Sequence, residues 1–263
     1  MAPSVARVRR GRRHRPTTQA DVLSVQFQPM LQVQGHRYWL FALEASVSSA
    51  LVVAGEEVSA ETCDRAALGV VLDLLSGHPA PPRLAVNVAA EALAQDPVLV
   101  AALSELARGE QRLIVEVGTA GVSLLSPSLS AAIAELRAQG AEIALDDLGA
   151  GHSDFRQLIM CRPDFIKVDG FVVRGCADDP YRQGILESVV VLAASVDARL
   201  VAQSVVNRQD FQLVRNLGID LIQGPWLAPA VAAQALDQWE LLRGEPLPIA
   251  TATPGPGLKE SSP

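Results

Sequence analysis

Short apolar runs alternate with longer amphipathic stretches from about residue 22 to residue 242. Runs rich in Val, Ile, Leu and aromatic residues lie near 22–33, 38–43, 83–88, 112–117, 141–146, 164–168, 198–202 and 219–222. Their length and composition predict β-strands. Between them, Ala and Leu recur at three- and four-residue spacing at about 59–77, 90–108, 125–139, 180–196, 207–217 and 229–242. That period predicts helices. Asn207 stands as an N-cap before one such stretch, and Gly218 follows its end. Pro127 lies in the first turn of another, which stops at Gly140.

Strands alternating with helices predict an α/β fold with a mainly parallel sheet. Eight strands in this span fit a TIM-like (β/α)8 barrel. The first two are joined only by Gln34 to Arg37. That link is too short for a crossover and predicts a hairpin, so one strand runs antiparallel to the rest. A doubly wound open sheet is the alternative, but no Gly-rich phosphate fingerprint follows the first strand.

Charge changes the picture at the ends. The net charge is −7, yet residues 1–15 hold six Arg and no acid, and without them the balance is −13. So acidic a body is a poor generic binder of nucleic-acid backbone. Residues 1–20 read as a disordered Arg-rich arm, 21–243 as the folded domain, and 244–263 as a disordered Pro/Gly/Ser-rich tail. The arm has no apolar region after it, and no apolar run reaches the 18 or so residues that span a bilayer. A cytoplasmic location is the expectation. Cys63, Cys161 and Cys176 are too few and too scattered for a disulfide framework or a tetrahedral zinc site. Aromatics make up only 4%, so Ala, Val and Leu must fill the core. Of two lysines, Lys259 falls in the tail and Lys167 is the single one in the folded part.

The strands end in polar residues: Glu44, Asn87, Glu116, Asp146 with Asp147, Lys167 with Asp169, Gln203 and Gln223. In a (β/α)8 barrel the carboxyl ends of the strands share one mouth, where active sites sit. Taken singly, Asn87, Gln203 or Gln223 reads as a turn residue. As a set, Glu44, Asn87, Glu116, Asp146 and Asp147 offer oxygen donors without His or Cys, which suits a hard cation such as Mg²⁺ or Mn²⁺. Lys167 beside them can neutralise carboxylates or steer an anion. The residues alone therefore point to a divalent-metal site that handles a phosphate-like anion.

These residues sit in ordered motifs. Residues 144–175, ALDDLGAGHSDFRQLIMCRPDFIKVDGFVVRG, resemble the DDFGTGYSS…KID segment of the EAL domains of cyclic-di-GMP phosphodiesterases. FQPML at 27–31, LAVNVA at 84–89 and RNLGIDLIQGPWLAPAV at 215–231 are similar to further motifs of that family. The likeness covers about 22–240 and implies a TIM-like barrel with one reversed strand. It implies metal binding by Glu44, Asn87, Glu116, Asp146 and Asp147, and places Lys167 near the attacking water. It assigns Gln28, Asp169, Gln223 and position 48 to substrate. It implies a homodimer, a Mg²⁺ or Mn²⁺ cofactor, and hydrolysis of cyclic-di-GMP to pGpG.

The departures from the family fall on chemistry. The signature Glu-Ala-Leu-x-Arg reads Glu44-Ala45-Ser46-Val47-Ser48, so Ser48 replaces a phosphate-clamping Arg. The loss removes a charge-assisted contact worth about 1.5–3 kcal/mol. Thr119 replaces a Glu that holds the loop after the double Asp, and Gln203 replaces the family's catalytic Glu. Gln keeps an oxygen but cannot take up a proton, and general-base catalysis is worth ~10²–10⁴-fold. The reading these losses support is a degenerate EAL domain: a regulatory or cyclic-di-GMP/pGpG-binding module, with a protein partner and with metal binding that is weak or nucleotide-dependent. A slow phosphodiesterase and a ligand-free protein-interaction scaffold are the alternatives.

Overall fold

A computed structural model describes residues 5–7, 22–49, 68–73, 75, 80–118, 126–149, 155–238 and 240–249. Strands β2 (Val22–Gln34) and β3 (Arg37–Ser49) form the expected antiparallel hairpin, turning at Gly35 with φ +58°. The parallel strands β4 (Arg83–Ala89), β5 (Arg112–Gly118), β6 (Glu142–Leu148), β7 (Phe165–Val168), β8 (Arg199–Ala202) and β9 (Leu221–Ile222) follow in spatial order from β3. β9 then pairs antiparallel with β2, which closes an eight-stranded barrel with β2 as the one reversed strand. Closure excludes the open-sheet alternative. Two short pieces outside 21–243 also pair with the hairpin: β1 (Val5–Arg7) lies against Val22–Ser24, and β11 (Leu247–Pro248) against Arg37–Tyr38. No helix among the described residues is long and apolar enough to cross a membrane.

Helices cover the outside, and their ends follow local chemistry. The stretch 90–108 is two helices rather than one, α1 (Ala90–Gln95) and α2 (Pro97–Ala107). Pro97 cannot continue a helix, and the Asp96 carboxylate accepts the Val98 and Leu99 N–H at 3.0 and 3.1 Å, starting the next one. Next come α3 (Pro127–Ala138), α4 (Phe155–Cys161), α5 (Gly170–Val173), α6 (Pro180–Ser195) and α7 (Arg208–Asn216). The sequence pattern gave no sign of α4 or α5, each two turns or less. Asn207 caps α7 through the Asp210 N–H at 2.8 Å, and Gly218 ends it with φ +86°. Of the helix expected at 59–77, only 68–73 and 75 are described, and they are helical. The helix expected at 229–242 is not there. Val231–Ala232 form β10, whose backbone pairs with Phe27 and Gln26, and 3₁₀ turns follow at Ala233–Gln238 and Glu240–Arg243. Strand pairing takes the peptide groups that a first helical turn needs, and the turns still bury Leu236 and Leu241.

Apolar residues between helices and sheet form the outer core. A separate buried cluster fills the barrel: Met30, Phe41, Ala42, Ala85, Ile114, Ala144, Phe165, Val201 and Leu221. Each of the eight barrel strands contributes to it. This plug fixes which side chains stand at the mouth, because side chains two apart share a face.

Candidate functional site at the barrel mouth

Two residues beyond each plug residue, towards the mouth, lies a polar one. The pairs are Ala42 and Glu44, Ala85 and Asn87, Ile114 and Glu116, Ala144 and Asp146, Phe165 and Lys167, Val201 and Gln203, Leu221 and Gln223. On the reversed strand the step runs backwards, from Met30 to Gln28, and Gln28 pairs in register with Glu44. Eight strands thus deliver eight of the residues singled out in the sequence to one layer.

The layer converges on Lys167. Its fully buried ammonium lies 2.5 Å from Glu116 Oε2, 3.0 Å from Glu44 Oε2 and 3.4 Å from Asp146 Oδ1. Three amides donate to the same carboxylates. Asn87 Nδ2 reaches Glu44 Oε1 at 2.8 Å, Gln223 Nε2 reaches Glu44 Oε2 at 2.5 Å, and Gln203 Nε2 reaches Asp146 Oδ1 at 2.9 Å. Two buried oxygens, Glu116 Oε1 and Gln203 Oε1, have no hydrogen-bond partner among the described residues.

Burial acts to push Glu44 up, but the Lys167 ammonium and the Gln223 and Asn87 amides outweigh it and hold its carboxyl below the usual range. Burial, with Glu44 and Asp146 nearby, pushes Glu116 up to about 8 against the pull of Lys167. Burial alone would lower Lys167, but Glu116, Glu44 and Asp146 hold its ammonium above its ordinary value. One ammonium shared by three carboxylates leaves the most deeply buried acid the hardest to ionise.

Asp147 stands apart from this cluster. β6 bulges between Leu145 and Leu148, and Asp147 takes a left-handed φ of +56°, exposed to solvent. Partial burial, then Asp146 and Asp169, raise its carboxyl. Asp169 caps α5, accepting the Phe171 N–H at 2.7 Å. Ser48 lies four residues beyond Glu44 on β3, opposite Ser24, and its side chain lies outside the described residues, as does all of Thr119.

Among the described residues no group of three or more His, Cys, Asp or Glu stands ready to enclose a metal ion. Glu44, Glu116 and Asp146 point instead at Lys167. The donor set still fits a hard cation, because it is all oxygen and leaves Glu116 Oε1 and Gln203 Oε1 unsatisfied in the interior.

Below the plug lies a second charged layer that the sequence reading missed. Arg83 pairs with Glu142 at 2.9 Å, and Arg199 pairs with Asp220 at 2.9 Å. The guanidinium carbons of Arg83 and Arg199 lie 4.1 and 4.7 Å from the centre of the Phe41 ring. The signal was the same two-residue step taken backwards, as in Arg83, Ala85, Asn87.

Comparison with known proteins accords with this architecture. The EAL domain family matches residues 12–230, and the chain belongs to that family. Cyclic di-GMP phosphodiesterase PdeR of Escherichia coli (strain K12) is 29% identical over 161 residues, 60% of this chain but only 24% of PdeR. The crystal structure of the EAL domain of Mycobacterium smegmatis DcpA superposes with a TM-score of 0.71 at 21% identity, covering 84% of this chain and 98% of that one. Klebsiella pneumoniae BlrP1, solved as a calcium and cyclic-di-GMP complex, gives a TM-score of 0.65 at 25% identity, covering 79% and 56%.

Proposed function

We propose that this chain is a degenerate EAL domain that binds cyclic-di-GMP or pGpG at the barrel mouth and acts by binding, with little or no hydrolysis. The observation that carries the reading is the Gln203 amide donating to Asp146 Oδ1 at 2.9 Å. A glutamate at 203 could not donate there; ionised, it would face Asp146 as a second negative charge and stand ready to accept a proton from water. Gln203 instead ties up an Asp146 lone pair and offers no base.

Metal binding follows the same logic. When bound, Mg²⁺ or Mn²⁺ supplies positive charge for the ligand phosphate and for an activated water. Glu44, Asn87, Glu116, Asp146 and Asp147 would hold it. Lys167 already engages three of those carboxylates, so metal binding is weak until nucleotide phosphate adds negative charge. Dimerisation has support from the surface of α4 and α6. Phe155 and Ile159 are each 69% exposed and Tyr181 86%, beside an apolar groove of about 690 Å³ that Leu148 and Gly149 also line. An apolar face of this kind is rare on a monomer.

The intact carboxylates and Lys167 favour a second reading, a slow phosphodiesterase. Isothermal titration with cyclic-di-GMP in Ca²⁺, then product analysis in Mg²⁺ or Mn²⁺, separates the two. Binding without pGpG is the expected result. Turnover selects the second reading, and absence of binding leaves the protein-scaffold reading.

A further inference from the structure

Outside the barrel, on the flank of α7, lies a cleft of about 360 Å³. Its residues are chemically one-sided. Arg208, Gln212, Arg215 and Asn216 come from α7, His36 from the β2–β3 turn, and Trp226 from the segment after β9. No carboxylate is among the described residues that line it. Arg208 and Arg215 are seven residues apart, two turns, so they share a face about 10.5 Å apart along the axis. Outside its Arg-rich arm the chain carries a balance of −13. A cleft with only cationic and neutral groups on such a body is a local attractor for anions.

Trp226 adds a second requirement. It is half-buried and braced. The Phe211 ring lies 4.5 Å away centre to centre, its backbone N–H donates to Val205 O at 3.2 Å, and the bridge between Gly224 and Ala228 closes its turn. A fixed indole beside guanidinium groups is a stacking platform for a flat heterocycle next to a phosphate. The Gln212 and Asn216 amides each carry a donor and an acceptor for the edge of that ring. The volume is at the small end of ligand pockets, the size of one nucleotide unit.

We propose that this cleft binds a nucleoside monophosphate, with its phosphate on Arg208 and Arg215 and its base on Trp226. The site is separate from the mouth: it needs none of the mouth carboxylates and no metal.

The test is calorimetric titration of the full chain with GMP in EDTA, beside guanosine and inorganic phosphate, for wild type, Arg208→Ala and Trp226→Leu. The expected result is one site with a dissociation constant on the order of 0.1–1 mM, weakened about tenfold or more by Arg208→Ala, with guanosine and phosphate each about tenfold weaker than GMP. Arg208 is exposed, and thermal melting of its variant beside wild type checks that it is folded at the titration temperature. Photolabelling with 8-azido-GMP, mapped to single residues, should mark Trp226 or α7 rather than Gln203, Gln223 or the mouth carboxylates, which keeps the test valid if Trp226→Leu fails to fold. No GMP binding at about 2 mM, binding that Arg208→Ala leaves unchanged, or labelling confined to mouth residues would overturn the proposal.

Discussion

Gln203 differs from a glutamate by one amide group, and that group sets what Asp146 can do. Repairing it alone should not restore hydrolysis. Gln203→Glu would return a proton acceptor, but position 48 would still lack its Arg and position 119 its Glu. Positioning and proton transfer act as a unit, so single repairs recover little. The triple change Ser48→Arg, Thr119→Glu, Gln203→Glu should yield pGpG in Mn²⁺ at more than the summed rates of the singles. Full rescue by Gln203→Glu alone would show that the mouth is otherwise catalytically intact. Lys167 gives a stability test at the same scale. Among the described residues its ammonium is the only cation paired with Glu44, Glu116 and Asp146, at 3.0, 2.5 and 3.4 Å. Lys167→Met leaves buried carboxylates uncompensated and should cost about 3–5 kcal/mol in urea unfolding. Adding Glu116→Gln should recover part of that loss. A loss under about 1 kcal/mol would mean that the cluster is already neutral without the lysine.

Elements here are tied together by a few polar joints and close approaches. Asp210 on α7 is buried and accepts the Gly175 and Ala177 N–H at 2.9 and 3.1 Å and the Asn207 amide at 2.7 Å. Burial acts to raise its carboxyl, but these donors outweigh it and the group is held below its ordinary value. A folded value below the unfolded one gives stability that is present above the unfolded value, near pH 4, and lost as pH falls through the folded one. Asp210→Asn should therefore destabilise by about 1–3 kcal/mol at neutral pH, and its gap from wild type should narrow below pH 4. A gap independent of pH would rule out the charge as its source. Gly224 shows the steric counterpart. Its φ is +153°, and an added Cβ would lie 2.3 Å from Val205 O. Gly224→Ala should cost at least about 3 kcal/mol, whereas Gly184→Ala, within α6 and open on all sides, should gain up to about 1 kcal/mol. Most elements were legible because apolar period and end residues agree, as at Asn207 and Gly218. The exception at 229–242 is instructive. Its Ala-rich period reads as a helix, but the partner that makes it a strand, Phe27 and Gln26, lies some two hundred residues earlier.

At the scale of the molecule, the closed barrel turns eight separate strand ends into one charge cluster. The membership of that cluster was legible in the sequence, because each strand places a polar residue two beyond a plug residue. The bonding within it was not. Which carboxylate Lys167 touches at 2.5 Å, and that Gln203 donates to Asp146, depend on strand stagger and rotamers that no spacing encodes. On the proposed reading, that bonding would make metal and nucleotide interdependent. Lys167 and three amides already occupy oxygens of Glu44, Glu116 and Asp146, so a cation entering alone must displace them. A nucleotide phosphate would bring new anionic oxygens and give Lys167 another partner, which would free carboxylate oxygens for the cation. Such coupling is reciprocal: each ligand must raise the affinity of the other by the same factor. Ligands that bind only the folded state raise its stability by mass action. Thermal unfolding should thus show little shift with about 1 mM Mn²⁺ alone, a modest shift with cyclic-di-GMP alone, and a shift with both that exceeds the sum. Titrations should give a coupling of about 5–150-fold, equal when read from either ligand. A large shift with Mn²⁺ alone would show that Lys167 does not hold the carboxylates against a cation, and additive shifts would separate the two sites.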